Sequence, residues 1–289
     1  MRRALAAMAL ALLVPAGLAA AEDPEARGDR LWVRRAEGFA AARRVDPALA
    51  NETVAAYEEA LRARPDDLAI RFKLAEALYF AGHFGDTDPG KARARFERAV
   101  EVSEDACARV AAKAGGAALD PKADAEARAR ALAAVPEAVD AHFWAAISWG
   151  LWGMSHSVFA SAMQDVAGKI RDHATLVAAL DPAYRDAAGW RILGRLHAQV
   201  PHIPLVTDWV SRDEGIALLR KATAVSARDP RNPLFLAEAL LADRPEEKDQ
   251  ALALLRGLAA RTPDPACLVE ETEILDQARK TLGNTEPAR

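Results

Sequence analysis

A short run beginning at Trp190 constrains this chain more than any other feature in it. Trp190, Leu193, Gly194 and His197 stand at the W-x2-L-G-x2-Y spacing of a repeated helix pair, with His where Tyr is usual. Large side chains at such positions fill the space between two antiparallel helices, and a small one lets their backbones approach closely. A second helix is expected through Ile216, Leu219 and Ala222, closed at Asp229-Pro230. Proline there ends one helix and is tolerated in the first turn of the next.

The same pattern recurs along the chain. Tyr57 and Ala60 precede Pro65, and Leu74, Ala75 and Leu78 read as the following first helix. Ala92, Phe96 and Ala99 supply its partner after a longer turn from Gly82 to Gly90, where Asp88-Pro89 reads as a helix cap followed by a first-turn proline. After Pro136 come Trp144, Ala145, Ala146 and Trp149, then Ile170 and Val177, closed by Asp181-Pro182. The last pair reads Leu236, Ala237 and Leu240, then Ala251, Leu255 and Leu258, closed by Pro263. The alanine-rich stretch from Ala106 to Val135, with Gly115-Gly116 and Asp120-Pro121 inside it, predicts a helix, a turn and a second helix from Ala123 to Ala134. A helix from Cys267 to Leu282 is expected to cap the open end. Abundant alanine, apolar spacings of three and four, and few β-branched runs argue for helices throughout. The fold class is therefore all-α, a tetratricopeptide-like solenoid of about five helix pairs plus a C-terminal capping helix. Two longer insertions, Gly150 to Gln164 and Val200 to Asp213, depart from the minimal repeat, and insertions in solenoids gather on one face, often the binding face.

Residues 1–21 have the form of an export signal, with Arg2 and Arg3 followed by the apolar run Ala4 to Val14 and the small residues Ala19-Ala20-Ala21. Residues 22–289 would then be the solenoid domain. Cleavage would remove two arginines and take the formal charge from −4 to −6. The apolar run is too short for a membrane span, which needs about 20 residues. No cysteine stands at the end of the signal to take a lipid, so the expectation is a soluble periplasmic protein. Acidic and basic residues are mixed along the chain, leaving no basic stripe for nucleic acid. Cys107 and Cys267 would be free to pair in an oxidising compartment, and their separation neither supports nor forbids a disulfide.

The run Phe143-Trp144-Ala145-Ala146, then Lys169-Ile170-Arg171-Asp172-His173, Leu180-Asp181-Pro182-Ala183-Tyr184, Leu193-Gly194-Arg195, Val200-Pro201, Trp209-Val210-Ser211-Arg212 and Asn232 to Leu240 resembles the T-component family of tripartite ATP-independent periplasmic (TRAP) transporters. The likeness is strongest from Ala141 to Leu258. Parts of it also resemble eukaryotic regulators of microtubule dynamics built on the same repeat. Resemblance to the T-components implies an accessory role beside a periplasmic substrate-binding protein, a homo-oligomer such as a trimer with a central pore, and a cleft for a small ligand. The chain differs from the founding pattern of that family in lacking the lipid-attachment cysteine.

Candidate binding residues follow from the aromatic and basic content of the central helices. Trp144, Trp149 and Trp152 with His156, Trp190 and Trp209 could line a groove for an apolar or ring-bearing ligand, although Trp144 and Trp190 also sit where the repeat requires core residues. Lys169 and His173 are one helical turn apart and could face an anionic group together, or His173 could be a buried, hydrogen-bonded side chain. Arg191 and Arg195, with Arg212, could clamp the carboxylate of an organic acid or an amphipathic ligand, or be solvated helix charges. His197 is expected to pack. Ser155-His156-Ser157 does not make a triad, because adjacent residues on a helix point apart, and one of the serines serves better as the cap of a helix from Val158. The chain carries no phosphate-loop or dinucleotide fingerprint, no local His or Cys spacing for zinc, and no expected cofactor. The reading is a non-enzymatic periplasmic binding or scaffold protein, with a general interaction module for envelope assembly as the rival.

Overall fold

The computed structural model describes residues 22–115, 123–203 and 206–285; the expected export signal and the turn at Asp120-Pro121 lie outside them. The described residues form fourteen α-helices and no strand. They are α1 (Pro24–Val33), α2 (Phe39–Ala42), α3 (Pro47–Ala63), α4 (Leu68–Phe80), α5 (Pro89–Lys113), α6 (Ala125–Leu132), α7 (Ala138–Ser155), α8 (Val158–Met163), α9 (Val166–Leu180), α10 (Tyr184–Gln199), α11 (Arg212–Val225), α12 (Arg231–Asp243), α13 (Lys248–Ala259) and α14 (Leu268–Thr285).

Neighbouring helices pack in chain order as five pairs, α1/α3, α4/α5, α7/α9, α10/α11 and α12/α13, followed by α14. The protein is an all-α, tetratricopeptide-like solenoid. Pro65, Pro136, Pro182, Pro230 and Pro263 all fall between helices, as their chemistry requires. Aspartates set several starts: Asp23, Asp46, Asp67, Asp88 and Asp124 each accept a backbone N–H of the first turn, and three of them are followed directly by proline. Gly194 explains the tight contact of α10 with α11, since a Cβ there would lie 2.6 Å from Leu219 Cγ and 3.0 Å from the Gly215 carbonyl oxygen.

Two features differ from the sequence expectation. Helix α5 is one helix of 25 residues, not a short helix ending near Ala99 and a second beginning at Ala106. Nothing between Val100 and Lys113 breaks it, and it ends only at Gly115, whose φ of +84° belongs to the left-handed region. The second difference concerns the C-terminal helix. It does cover the last pair, with Leu275 and Ala278 packed in the α12/α13 core. Its first turn also reaches the beginning of the chain, where Val269 shares a core with Phe39, Phe80 and the half-buried Trp32. Arg35 donates to Glu270 at 3.1 Å and to the Ala266 carbonyl, His83 lies 3.0 Å from Glu273, and Arg43 pairs with Asp276. The end expected to be open is closed against the first helices, because the repeats curl tightly enough to bring them together.

Cys107 is buried in the α5–α7–α9 core and Cys267 is exposed beside α14, and both are free thiols.

Candidate functional site

Both insertions fold toward one satellite core. Trp149, Val166, Ile170 and Leu196 are buried there, with Trp152 from the first insertion and Val200 and Trp209 from the second packed against them. At its edge Trp152 stacks on His156, with ring centroids 3.6 Å apart. Ser157 caps α8 by accepting the Ala160 N–H, one of the two serine roles expected from sequence. Helix α8 is only six residues long and buries none of them. Val158, Phe159 and Met163 of α8, and Met154 at the end of α7, are 71–77% exposed, and Phe159 and Met163 share one face of α8. Four such side chains within a short stretch form an apolar surface of the kind that marks contact sites.

Ser155 Oγ does lie 3.0 Å from His156 Nδ1, closer than adjacent positions on a helix suggest. That nitrogen also faces the Trp152 carbonyl oxygen at 2.8 Å, and Nε2 faces Glu97 at 3.1 Å. Ser155 Oγ donates to that same Trp152 carbonyl at 2.9 Å, so its proton is directed away from the ring.

Below this surface a line of polar groups runs inward. Trp149 Nε1 donates to Glu104 at 2.6 Å, and the ammonium of Lys169 sits 3.7 Å over the Trp149 ring. His173 Nε2 donates to the same Glu104 oxygen at 3.3 Å, and its Nδ1 lies 2.8 Å from Nδ1 of His142. Cys107 Sγ is 3.7 Å from that His142 nitrogen. Burial pushes the Glu104 carboxyl up, but the bonds from His173 and Trp149 and the nearby Lys169 outweigh it and hold it below the ordinary value. Burial, reinforced by His173, drives the His142 ring down to about 3, so it is neutral. Burial and the Glu104 charge push the Cys107 thiol well up, which does not suit a free nucleophile.

The expected groove residues do not converge on one groove. Trp149, Trp152, His156, Lys169 and His173 share the α5–α7–α9 region just described. Lys169 and His173 both favour an anion, but it is the protein's own Glu104, bonded by His173 and near the Lys169 ammonium that lies over the Trp149 ring. Trp144 is core, packed with Phe143, Ala75 and Val177. Trp190 is half-buried under the ammonium of Lys221 at 3.5 Å. Trp209 lies against the Arg171 guanidinium at 4.4 Å and the edge of His197, whose Nδ1 accepts the Ser211 N–H.

The three arginines do not form a carboxylate clamp. Arg191 is buried and pairs with Asp229 at 3.2 Å and with Asn232 Oδ1 at 3.0 Å. Arg195 pairs with Glu238 at 2.6 Å, and Arg212 donates to the His197 carbonyl at 2.7 Å. Each guanidinium has a partner: Arg191 and Arg195 meet acidic groups at or beyond the end of α11, and Arg212 meets a carbonyl of α10, its own partner helix.

Glu97, Glu104, Cys107 and His142 were missed from sequence. They lie on α5 and at the start of α7, outside the insertions and the tryptophan positions. The one usable signal is that Glu97, Glu104 and Cys107 stand seven and three residues apart, which puts them on one stripe of α5.

No protein-family profile matches the chain, and no curated protein matches it. Among solved structures it is similar to yeast Tom70, with 15% identity, a TM-score of 0.29, and 93% of this chain and 66% of that one covered. It is also similar to the TPR2AB domain of yeast Sti1 in its pHSP90 complex, with 13% identity, a TM-score of 0.29, and 90% of this chain and 99% of that one covered. The chain thus spans just under two thirds of the Tom70 chain.

Proposed function

We propose that this is a non-enzymatic binding and scaffold protein of the periplasm, and that the surface formed by the end of α7 and by α8 receives a protein partner. The observation that carries this reading is the exposed set Met154, Val158, Phe159 and Met163, which the fold leaves uncovered in an insertion that the repeat itself does not need. The export-signal pattern of residues 1–21 supports the location. The resemblance of Ala141 to Leu258 to TRAP T-components supports a substrate-binding protein of such a transporter as the partner. The same surface would serve an envelope-assembly module, and the identity of the partner separates the two.

The test is recovery of the protein from periplasm after mild cross-linking, with mass spectrometry of what accompanies it. The expected companion is a periplasmic substrate-binding protein, lost from a Phe159→Asp, Met163→Glu variant. Both positions are exposed, so the variant should keep its stability to within about 0.5 kcal/mol. Recovery of a bare monomer, or of the same companion with the variant, would overturn the reading.

A further inference from the structure

Three helices bring three metal-ligating atoms to one buried point. Cys107 comes from α5, His142 from the start of α7 and His173 from α9, and their ligand atoms all lie within 4.8 Å of one another. We propose that these side chains form a three-ligand site for a thiophilic closed-shell cation, Zn²⁺ or Cu⁺.

Geometry is the first argument. At metal distances of about 2.3 Å to sulfur and about 2.0–2.1 Å to nitrogen, with angles between tetrahedral and trigonal, sulfur and nitrogen ligands stand roughly 3.6–3.8 Å apart and two nitrogens roughly 3.3–3.6 Å apart. Cys107 Sγ and His142 Nδ1 are 3.7 Å apart, inside that window. The two Nδ1 atoms, at 2.8 Å, need to separate by about half an ångström or slightly more to reach their window, which small ring rotations supply.

The second argument is the group behind His173. Glu104 accepts from His173 Nε2, so in the neutral ring that nitrogen carries the proton and Nδ1 presents a bare lone pair to Cys107 and His142. Glu104 is itself held by Trp149 Nε1. A carboxylate on the far nitrogen of a ligating histidine fixes its tautomer and its orientation, a common arrangement behind metal ligands.

Proton accounting is the third. With His173 Nδ1 bare, the short contact between the rings needs the proton of His142 on Nδ1. Cys107 Sγ then faces an N–H already directed at His173, and His142 Nε2 is buried with no partner. A cation lets all three atoms donate lone pairs at once, with the His142 proton moving from Nδ1 to Nε2 and the thiol proton released to solvent on binding. Thiolate and Glu104 together neutralise a divalent ion. The charges that oppose it are Arg128 and Lys169, and Lys169 is drawn off onto the Trp149 ring.

The site escapes a spacing search because its ligands are separated by 35 and 31 residues, one per helix.

The full chain, purified metal-free, would be titrated with Co²⁺, whose thiolate charge-transfer and ligand-field bands report sulfur ligation and coordination number, and then with Zn²⁺ or Cu⁺ to displace it. One equivalent of Co²⁺ with a thiolate band is expected. Displacement by Zn²⁺ or by Cu⁺ tells which ion is preferred. Cys107→Ser should abolish the band, His173→Gln should weaken binding at least as much as Glu104→Gln, and Glu104→Gln should weaken it by about 10–100-fold, the usual effect of losing such a supporting carboxylate. Cys267→Ser, on an exposed thiol, should change nothing. Far-UV circular dichroism of each variant reports folding, and His173, only partly buried, provides the test if Cys107→Ser does not fold. The absence of a thiolate band in the folded parent chain, a band that survives Cys107→Ser, or an unchanged Co²⁺ affinity in His173→Gln would overturn the proposal.

Discussion

Replacing Arg191 with methionine tests how far this solenoid depends on a charge buried between repeats. The side chain of Arg191 is 4% exposed, and its guanidinium faces Asp229 at 3.2 Å, Asn232 Oδ1 at 3.0 Å and the Asp186 carbonyl at 3.2 Å. Methionine fills much of the same volume but leaves those acceptors facing an apolar group. Removing one partner of a buried ion pair costs about 3–5 kcal/mol. Asp229 keeps Arg231 at 2.6 Å, which places the expected loss near the lower end, about 3 kcal/mol. The acid limb supplies a second reading. Burial raises the Asp229 carboxyl, but the Arg191 charge and the Arg231 bonds outweigh it and hold the group at about 2 against an ordinary 3.8. A carboxyl depressed in the folded state adds stability above its unfolded value and loses it as pH falls toward the folded one. Here that is about 2 kcal/mol, present above pH 4 and lost as pH drops to about 2. Part of this increment comes from Arg191, so the variant should lose less of it. Urea unfolding followed by circular dichroism at pH 7 and pH 2.5 would measure both. The expected outcome is a gap of about 3 kcal/mol at pH 7 that narrows in acid. A gap under about 1 kcal/mol at pH 7, the range of a solvated surface pair, would refute the reasoning, as would a gap equal at both pH values.

Two further substitutions probe the packing. Gly194→Val should lower stability by about 1–3 kcal/mol, read as a fall in the thermal midpoint, because its Cβ would press on Leu219 and on the Gly215 carbonyl of α11. Val269→Asp places a carboxyl at a position 1% exposed between α14 and the first helices, and should cost about 3 kcal/mol or more. Hydrogen exchange should then quicken in α1 to α4, far away in sequence; protection lost only around α14 would contradict the shared core.

Much of the fold was legible in the sequence because its punctuation is local. Proline, aspartate caps and close-packing glycine act within one turn or one neighbouring helix, so Pro182, Asp88 and Gly194 could be placed by their own chemistry. The continuity of α5 was lost because Phe96 to Ala99 and the alanines after Ala106 were assigned to separate units, although no breaker stands between them. The place of Val269 in one core with Phe80 and Trp32 depends on how each repeat turns relative to the last, a small rotation that accumulates and leaves no mark at any one residue. The candidate site was legible only in part for a related reason. Trp149, Trp152, His156, Lys169 and His173 stood out by type, but Glu104, Cys107 and His142 gain meaning only when α5, α7 and α9 are side by side. The settings of Arg191 and Arg195 were not legible because a charged residue on a helix face carries no sign of the aspartate or glutamate that the fold will set opposite it.

The meeting of α14 with the first helices has a mechanical consequence. In an open stack, tension applied at the two ends passes through each inter-repeat interface in turn, so the compliances add and the molecule stretches like a spring. Here Val269, Arg35 and Glu270 bridge the ends and carry load in parallel with the whole series. A pull on the termini would meet that bridge first, and extension of the coil would begin only after it parts. The molecule is thus a clasped spring, stiff to small forces and extensible beyond one rupture event.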